Sequence, residues 1–352
     1  MRVTEPRSRH GRLSSRGAQV FRPSSASWAL ASGVTRGPRP WQSSLLIKQS
    51  EQEGQRGRSG EYRQRGSEKG PSVNIHIVTD STSYLPIGFA EQHDLPVVPV
   101  KVSVDEVFFR EFVEISPDVF YAKQKAGAKY GTTQPGPEDF IAVYTKLLAN
   151  PNDEVLSIHL SSRVSGTLNS AYIAAEQTDP RRVHLYDSRT SGLGLGFMVM
   201  QAVKLAANGA GIDDIIKALD GMQPRTHIYF LLGTMKYLIK SGRIGKAAGV
   251  AASILQIKPI LTVKDGMIDV FERPRTMRAA LDRMWALIDQ AVVRGIEHIG
   301  FHYVGNRVEV EAMQTEFTRR TGIPSVLSQL GPGVGCHMGP ETVAVVIVEK
   351  AV

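Results

Sequence analysis

The chain has 352 residues, is 42% hydrophobic and carries a net charge of +8, which is enough apolar material for one large core or two ordinary ones. The first 72 residues hold 14 Lys/Arg against five Asp/Glu, and the other 280 hold 28 against 29, so the body of the chain offers no excess charge to a nucleic-acid backbone. One cysteine, Cys336, excludes an intramolecular disulfide and any cysteine-built zinc or iron–sulfur site within one chain, and fits a reducing cytoplasm; no apolar run reaches the ~18–20 residues that span a bilayer.

Residues 1–72 are rich in Arg, Ser, Gly and Gln, with runs such as Arg56-Gly57-Arg58-Ser59-Gly60. Such a composition buries too little apolar surface to offset the entropy of ordering, and a disordered basic extension is expected there. An Arg- and Ser-rich, acid-poor leader is also the pattern of an organelle transit peptide, and a basic tail suits weak anionic contacts. Regular sequence begins at Val73-Asn74-Ile75-His76-Ile77-Val78, a buried strand running into the polar loop Thr79-Asp80-Ser81-Thr82. Strand-like runs recur at 97–104, 155–160, 183–186, 227–232, 298–304 and 343–348. Met277, Leu281, Met284, Ile288 and Ala291 step by four and three and line one helix face. Strands alternating with helices predict an α/β fold. The break at Gly221-Met222-Gln223-Pro224 suggests domains at 73–224 and 225–352.

Three polar segments could carry chemistry. The strand ending at Leu160 delivers Ser161-Ser162-Arg163-Val164-Ser165-Gly166-Thr167, followed by a helix from Leu168 to Gln177. In open α/β sheets this is the ligand crevice, where free N–H groups favour a carboxylate or phosphate; the competing reading is that these hydroxyls cap the helix and close the turn. Thr132-Thr133-Gln134-Pro135 precedes Pro137-Glu138-Asp139, which suits a helix start and reads on its own as a cap. Around His337, the run Leu330-Gly331-Pro332-Gly333-Val334-Gly335-Cys336-His337-Met338-Gly339-Pro340 suggests backbone held close to something. In an extended segment Cys336 and His337 would face opposite ways, which argues against a Cys–His nucleophile pair. A Ser–His–acid hydrolase is the alternative function, although a Gly-x-Ser-x-Gly elbow is missing. Gly192-Leu193-Gly194-Leu195-Gly196 fails the dinucleotide spacing because residue 197 is Phe, and reads as a glycine-rich turn. The nine histidines include no His-Glu-x-x-His, and no metal site is expected.

Taken in order, Asp80-Ser81-Thr82, Thr132-Thr133-Gln134-Pro135, Ser161-Ser162 with Ser165-Gly166-Thr167, Asp187-Ser188, Gly242-Arg243-Ile244, Lys258-Pro259-Ile260 and Gly335-Cys336-His337-Met338-Gly339-Pro340 resemble the DegV family over about residues 73–352. The resemblance implies two α/β domains, a mostly parallel sheet in the first and a mixed sheet with helices in the second, with a long-chain fatty acid between them. It implies a lipid-binding protein without its own catalytic residues or cofactor. Thr132, Ser161, Ser162 and His337 would hold the carboxyl group, and Arg243 would contact the head region or a docking partner. Some family members present the carboxyl to a fatty-acid kinase, which would be the partner here. Thr133 replaces the family's usual Ser, Gly136 stands where a second Ser is common, and Glu341 replaces a frequent Gly.

Overall fold

The computed structural model describes residues 74–245 and 257–351; the expected basic extension at 1–72 lies outside them. Thirteen strands are described: β1 (Ile75–Asp80), β2 (Val97–Val98), β3 (Lys101–Val104), β4 (Val107–Arg110), β5 (Tyr130–Thr133), β6 (Glu154–His159), β7 (Val183–Asp187), β8 (Thr226–Leu231), β9 (Ile260–Lys264), β10 (Met267–Glu272), β11 (Ile296–Val304), β12 (Val326–Gln329) and β13 (Thr342–Glu349). They form a parallel sheet in the order β2-β1-β6-β7, a three-stranded sheet β4-β3-β5, and a mixed sheet β10-β9-β8-β13-β11-β12.

The parallel sheet is covered on both faces, which is why its strands read as nearly continuous apolar runs. On one face Val78, Val98, Val155 and Val183 pack against Phe140 and Tyr144 of the helix Pro137–Leu147 and Ala171, Ala174 and Ala175 of the helix Thr167–Thr178. On the other, Ile77, Leu156 and Ile158 meet the helix Leu193–Ala207. That helix is apolar on nearly every side because it also packs against the mixed sheet; the shared core takes in Ile228, Phe230, Ala344, Val346 and Val348. In β13 the alternate residues Val343, Val345 and Ile347 face the opposite way, onto the helices Met277–Arg294 and Arg307–Thr321. The predicted face of the first of these is there, with Met284, Ile288 and Ala291 buried and Met277 and Leu281 partly so.

The single strand expected at 97–104 is two. Val97 and Val98 pair in parallel with β1, whereas Lys101–Val104 pairs with β4 and β5 in a separate antiparallel sheet. Pro99 falls between them, and a residue without an N–H cannot continue a ladder. The glycine-rich segment is also not a turn throughout: only Gly192 takes a left-handed backbone (φ 62), and Leu193 opens the helix. The later glycines serve close packing, since a Cβ on Gly196 would stand 2.5 Å from the Ser83 carbonyl oxygen.

Candidate functional site

A cavity of about 390 Å³, within the ~300–1,000 Å³ typical of small-molecule sites, opens between the carboxyl ends of β1, β5 and β6 and the mixed sheet. Ile228, Phe230, Ile268, Ala344 and Val346 make its apolar wall. Its polar residues come from chain ends and turns: Thr82 after β1, Thr132 on β5, Ser161 after β6, Arg243, and His337 on the helix Pro332–Met338.

Thr132 Oγ1 and His337 Nε2 lie 2.9 Å apart in a hydrogen bond that joins residues 205 positions apart. Thr132 is not a helix cap: it sits in β5 opposite Val102, and the helix from Pro137 is capped by Gly136, whose N–H donates to Asp139 Oδ2 at 2.8 Å. Burial, and then the charge of Arg243, push His337 down to about 4, so it is neutral at pH 7 and offers a donor or a lone pair, not a cation. Arg243 faces the same cavity, and its Nη1 donates to the Ser241 carbonyl at 2.6 Å.

Ser161 is buried on the cavity wall. Its hydroxyl donates to the Gly266 carbonyl at 2.8 Å and accepts the Arg163 N–H at 3.2 Å. It does not cap the helix Thr167–Thr178, whose N-cap is Gly166 without a side-chain bond. Ser162, expected beside it, is not brought to the cavity: it is exposed, and its hydroxyl donates to Asp187 Oδ2 at 2.6 Å. The two serines diverge because the chain turns after β6 and consecutive side chains leave on different sides. Thr132, Ser161, Arg243 and His337 thus share one cavity, and Ser162 does not.

The His337 segment is helical, not extended. Cys336 turns away from the cavity into a cluster with Val102, Val104, Ile115 and Phe120, and burial pushes its thiol far above the usual range, so no thiolate is available beside His337.

Two features escape sequence reading. Asp80, His159 and Ser157 form a chain of contacts, with His159 Nδ1 3.0 Å from Asp80 Oδ2 and His159 Nε2 2.7 Å from Ser157 Oγ. The composition is that of a hydrolytic triad, but all three are fully buried and none lines the cavity, so the serine faces the Tyr144 hydroxyl at 2.8 Å and no substrate. Asp80 also accepts the N–H groups of Thr82 and Leu160, which fixes the loops carrying Thr82 and Ser161. The second feature is His302, 2% exposed, on the cavity wall. The Leu193 N–H donates to its Nε2 at 2.8 Å, which leaves the proton on Nδ1 to donate to the Ser328 carbonyl at 3.1 Å; burial lowers it to about 4. The signal for both was a polar residue inside an apolar strand run, His159 in Val155–Leu160 and His302 in His298–Val304. His298 and His302 are four apart but lie on a strand, roughly 13 Å from one another at ~3.3 Å per residue. Among the described residues no group of three His, Cys, Asp or Glu side chains stands ready to hold a metal ion, and no helix is long and apolar enough to cross a membrane.

Comparison with known proteins agrees with this architecture. A DegV domain-containing protein of Listeria monocytogenes is 36% identical over 270 residues, covering 75% of this chain and 95% of the relative. Protein DegV of Bacillus subtilis is 34% identical over 271 residues, covering 76% and 96%. Among solved structures, that of DegV from Bacillus subtilis, a fatty acid binding protein, matches with a TM-score of 0.74 at 32% identity over 79% of this chain and 100% of that one. A DegV family protein from Thermus thermophilus, whose structure concerns its fatty acid binding, matches with a TM-score of 0.72 at 32% identity over the same shares, 79% and 100%. With residues 74–350 also matching the family model described as an uncharacterised protein of the DegV family, the chain belongs to that family.

Proposed function

We propose that the chain binds a long-chain fatty acid in this cavity, between lobes at 73–224 and 225–352, and presents the carboxyl group to a partner fatty-acid kinase. The observation that carries the reading is the Thr132–His337 pair, set with Ser161 and Arg243 in a cavity that has an apolar wall of Ile228, Phe230, Ile268, Ala344 and Val346. Burying ~14 methylenes contributes on the order of 11 kcal/mol gross, before entropic costs, so the tail supplies the affinity. The head needs only to avoid burial without partners. Neutral donors are enough for this: Thr132 and a neutral His337, with Ser161 once its hydroxyl turns from the Gly266 carbonyl, can hold a carboxylate without the bidentate arginine pair that would tie up both its oxygens. Arg243, already donating to Ser241, stands beside the head as an orienting or docking cation. The binding role of the two matched family members supports the ligand, and family resemblance supports the kinase. Ser162, directed to Asp187, has no part in the head site. On this reading the protein is a carrier without chemistry of its own, and its single cysteine suits the cytoplasm.

The test is to denature protein purified from an expression host and analyse the extract by mass spectrometry, which should yield a fatty acid. Thr132→Val, Ser161→Ala and His337→Ala should each weaken transfer of phosphate to the bound carboxyl more than they weaken acyl binding, while Ser162→Ala changes neither. Protein that is repeatedly empty and has no measurable affinity for long-chain fatty acids refutes the reading.

A further inference from the structure

Glu111 is 1% exposed and no step above uses it. It follows β4, held by its own N–H donating to the Val100 carbonyl at 3.0 Å, and Phe112 beside it turns the chain back with a left-handed backbone (φ 62). One carboxylate oxygen accepts the Ser81 hydroxyl. The other accepts the Gly333 N–H at 2.7 Å and shares the Tyr84 hydroxyl, 3.3 Å away, with the Gly331 carbonyl at 3.2 Å. The Tyr84 oxygen in turn accepts the Val334 N–H at 3.0 Å. Ser81 adjoins Thr82, which lines the cavity, while Gly333 and Val334 begin the short helix that carries His337 one turn on. A single carboxylate therefore ties together two segments on which the polar end of the cavity is built, although Glu111 and Gly333 are 222 positions apart.

The surroundings leave room for this acid and little else. A Cβ on Gly331 would fall 2.3 Å from Glu111 Oε1, and one on Gly333 would fall 2.5 Å from Val100 Cγ2, so the helix start is glycine where carboxylate and strand press on it. Burial raises Glu111 to about 7, with Asp80 nearby adding to the rise and the bonds from Ser81, Gly333 and Tyr84 opposing it. An apolar side chain would fill the space without that desolvation penalty but would leave the Ser81 hydroxyl and the Gly333 N–H without this acceptor.

We propose that Glu111 is a positioning residue of the head site: by joining Ser81 to Gly333 it sets the spacing between the Thr82 loop and the His337 helix, and so fixes where the ligand's carboxyl group is held. This rests on the fatty-acid reading above.

The test compares palmitic acid with cetyl alcohol, which has the same tail and no carboxyl, on the full chain. Glu111→Ala should weaken the acid at least about tenfold, as expected for losing a charge-assisted hydrogen bond, and the alcohol less than about twofold. Glu111→Gln keeps an oxygen for the Gly333 N–H and should bind the acid within about threefold of wild type. In a His337→Ala background, Glu111→Ala should cost the acid clearly less than it does in wild type, because part of its effect runs through the group already removed. Equal losses for acid and alcohol, or a full additional loss in the double variant, overturn the proposal. Wild-type protein that shows no preference for the acid over the alcohol overturns instead the head-site reading beneath it, and the proposal with it.

Discussion

Replacing His302 by glutamine tests the buried histidine on the cavity wall. In wild type both ring nitrogens are engaged, Nε2 with the Leu193 N–H and Nδ1 with the Ser328 carbonyl. The His302→Gln side chain would keep an acceptor for Leu193 and leave the Ser328 carbonyl without its donor, so at pH 7 the variant should be less stable by about 1–3 kcal/mol. Acid changes the comparison. Burial lowers His302 from 6.5 to about 4, so its contribution is complete above pH 6.5 and is lost as pH falls through 4, because the unfolded chain takes up a proton that the folded one refuses. At 1.36 kcal/mol per unit, the loss by pH 4 is about 3 kcal/mol. The substituted amide does not titrate, and groups common to both proteins cancel in the difference. Guanidinium unfolding followed by far-ultraviolet circular dichroism at pH 7 and pH 4 should therefore show the variant's deficit vanishing or reversing in acid. A deficit of the same size at both values would refute the reasoning.

Two further outcomes follow from the cavity and its support. Ala344, 4% exposed on the cavity wall, changed to Leu adds three carbons to the ligand space, which at ~0.8 kcal/mol per displaced methylene should weaken the longest fatty acids by tens of times and spare shorter ones; uniform weakening across chain lengths in a titration would contradict it. Gly192→Ala combines a left-handed backbone (φ 62) with a Cβ only 2.8 Å from His302 Nε2, and should lower stability by roughly 1–3 kcal/mol in thermal unfolding.

The regular elements were legible because both periods are strong. The apolar runs that became β6, β8, β11 and β13 lie within about two residues of their ends, as expected where a strand is buried on both faces and polar loops delimit it. The 97–104 run misled because two sheets share it, and only the position of Pro99 hinted at the division. At the site, Thr132, Ser161, Arg243 and His337 were recoverable from motif order, and the structure puts all four on one cavity. Ser162 was not distinguishable from Ser161, since motif order says nothing about which way a turn points each side chain. Glu111 gave no signal at all: it lies in Phe108-Phe109-Arg110-Glu111-Phe112, outside every strand-like run and polar segment singled out in the sequence, and its partners are supplied by residues 81, 84 and 333. Contacts of that separation are set by tertiary packing and leave no local pattern.

The placement of β13 bears on how the protein is made. It follows the other five strands of its sheet in sequence, yet it lies between β8 and β11, and Thr342, Ala344 and Val346 supply cavity wall. Without residues 342–349 in place, β10-β9-β8 and β11-β12 have no strand between them and cannot form one sheet. In that state the edges of β8 and β11 that pair with β13 would be open, and an unpaired edge is a template for aggregation. On the proposed function, a lipid can be enclosed only once β13 is in place, because that strand supplies cavity wall, and acyl retention then reports on whether it has been inserted.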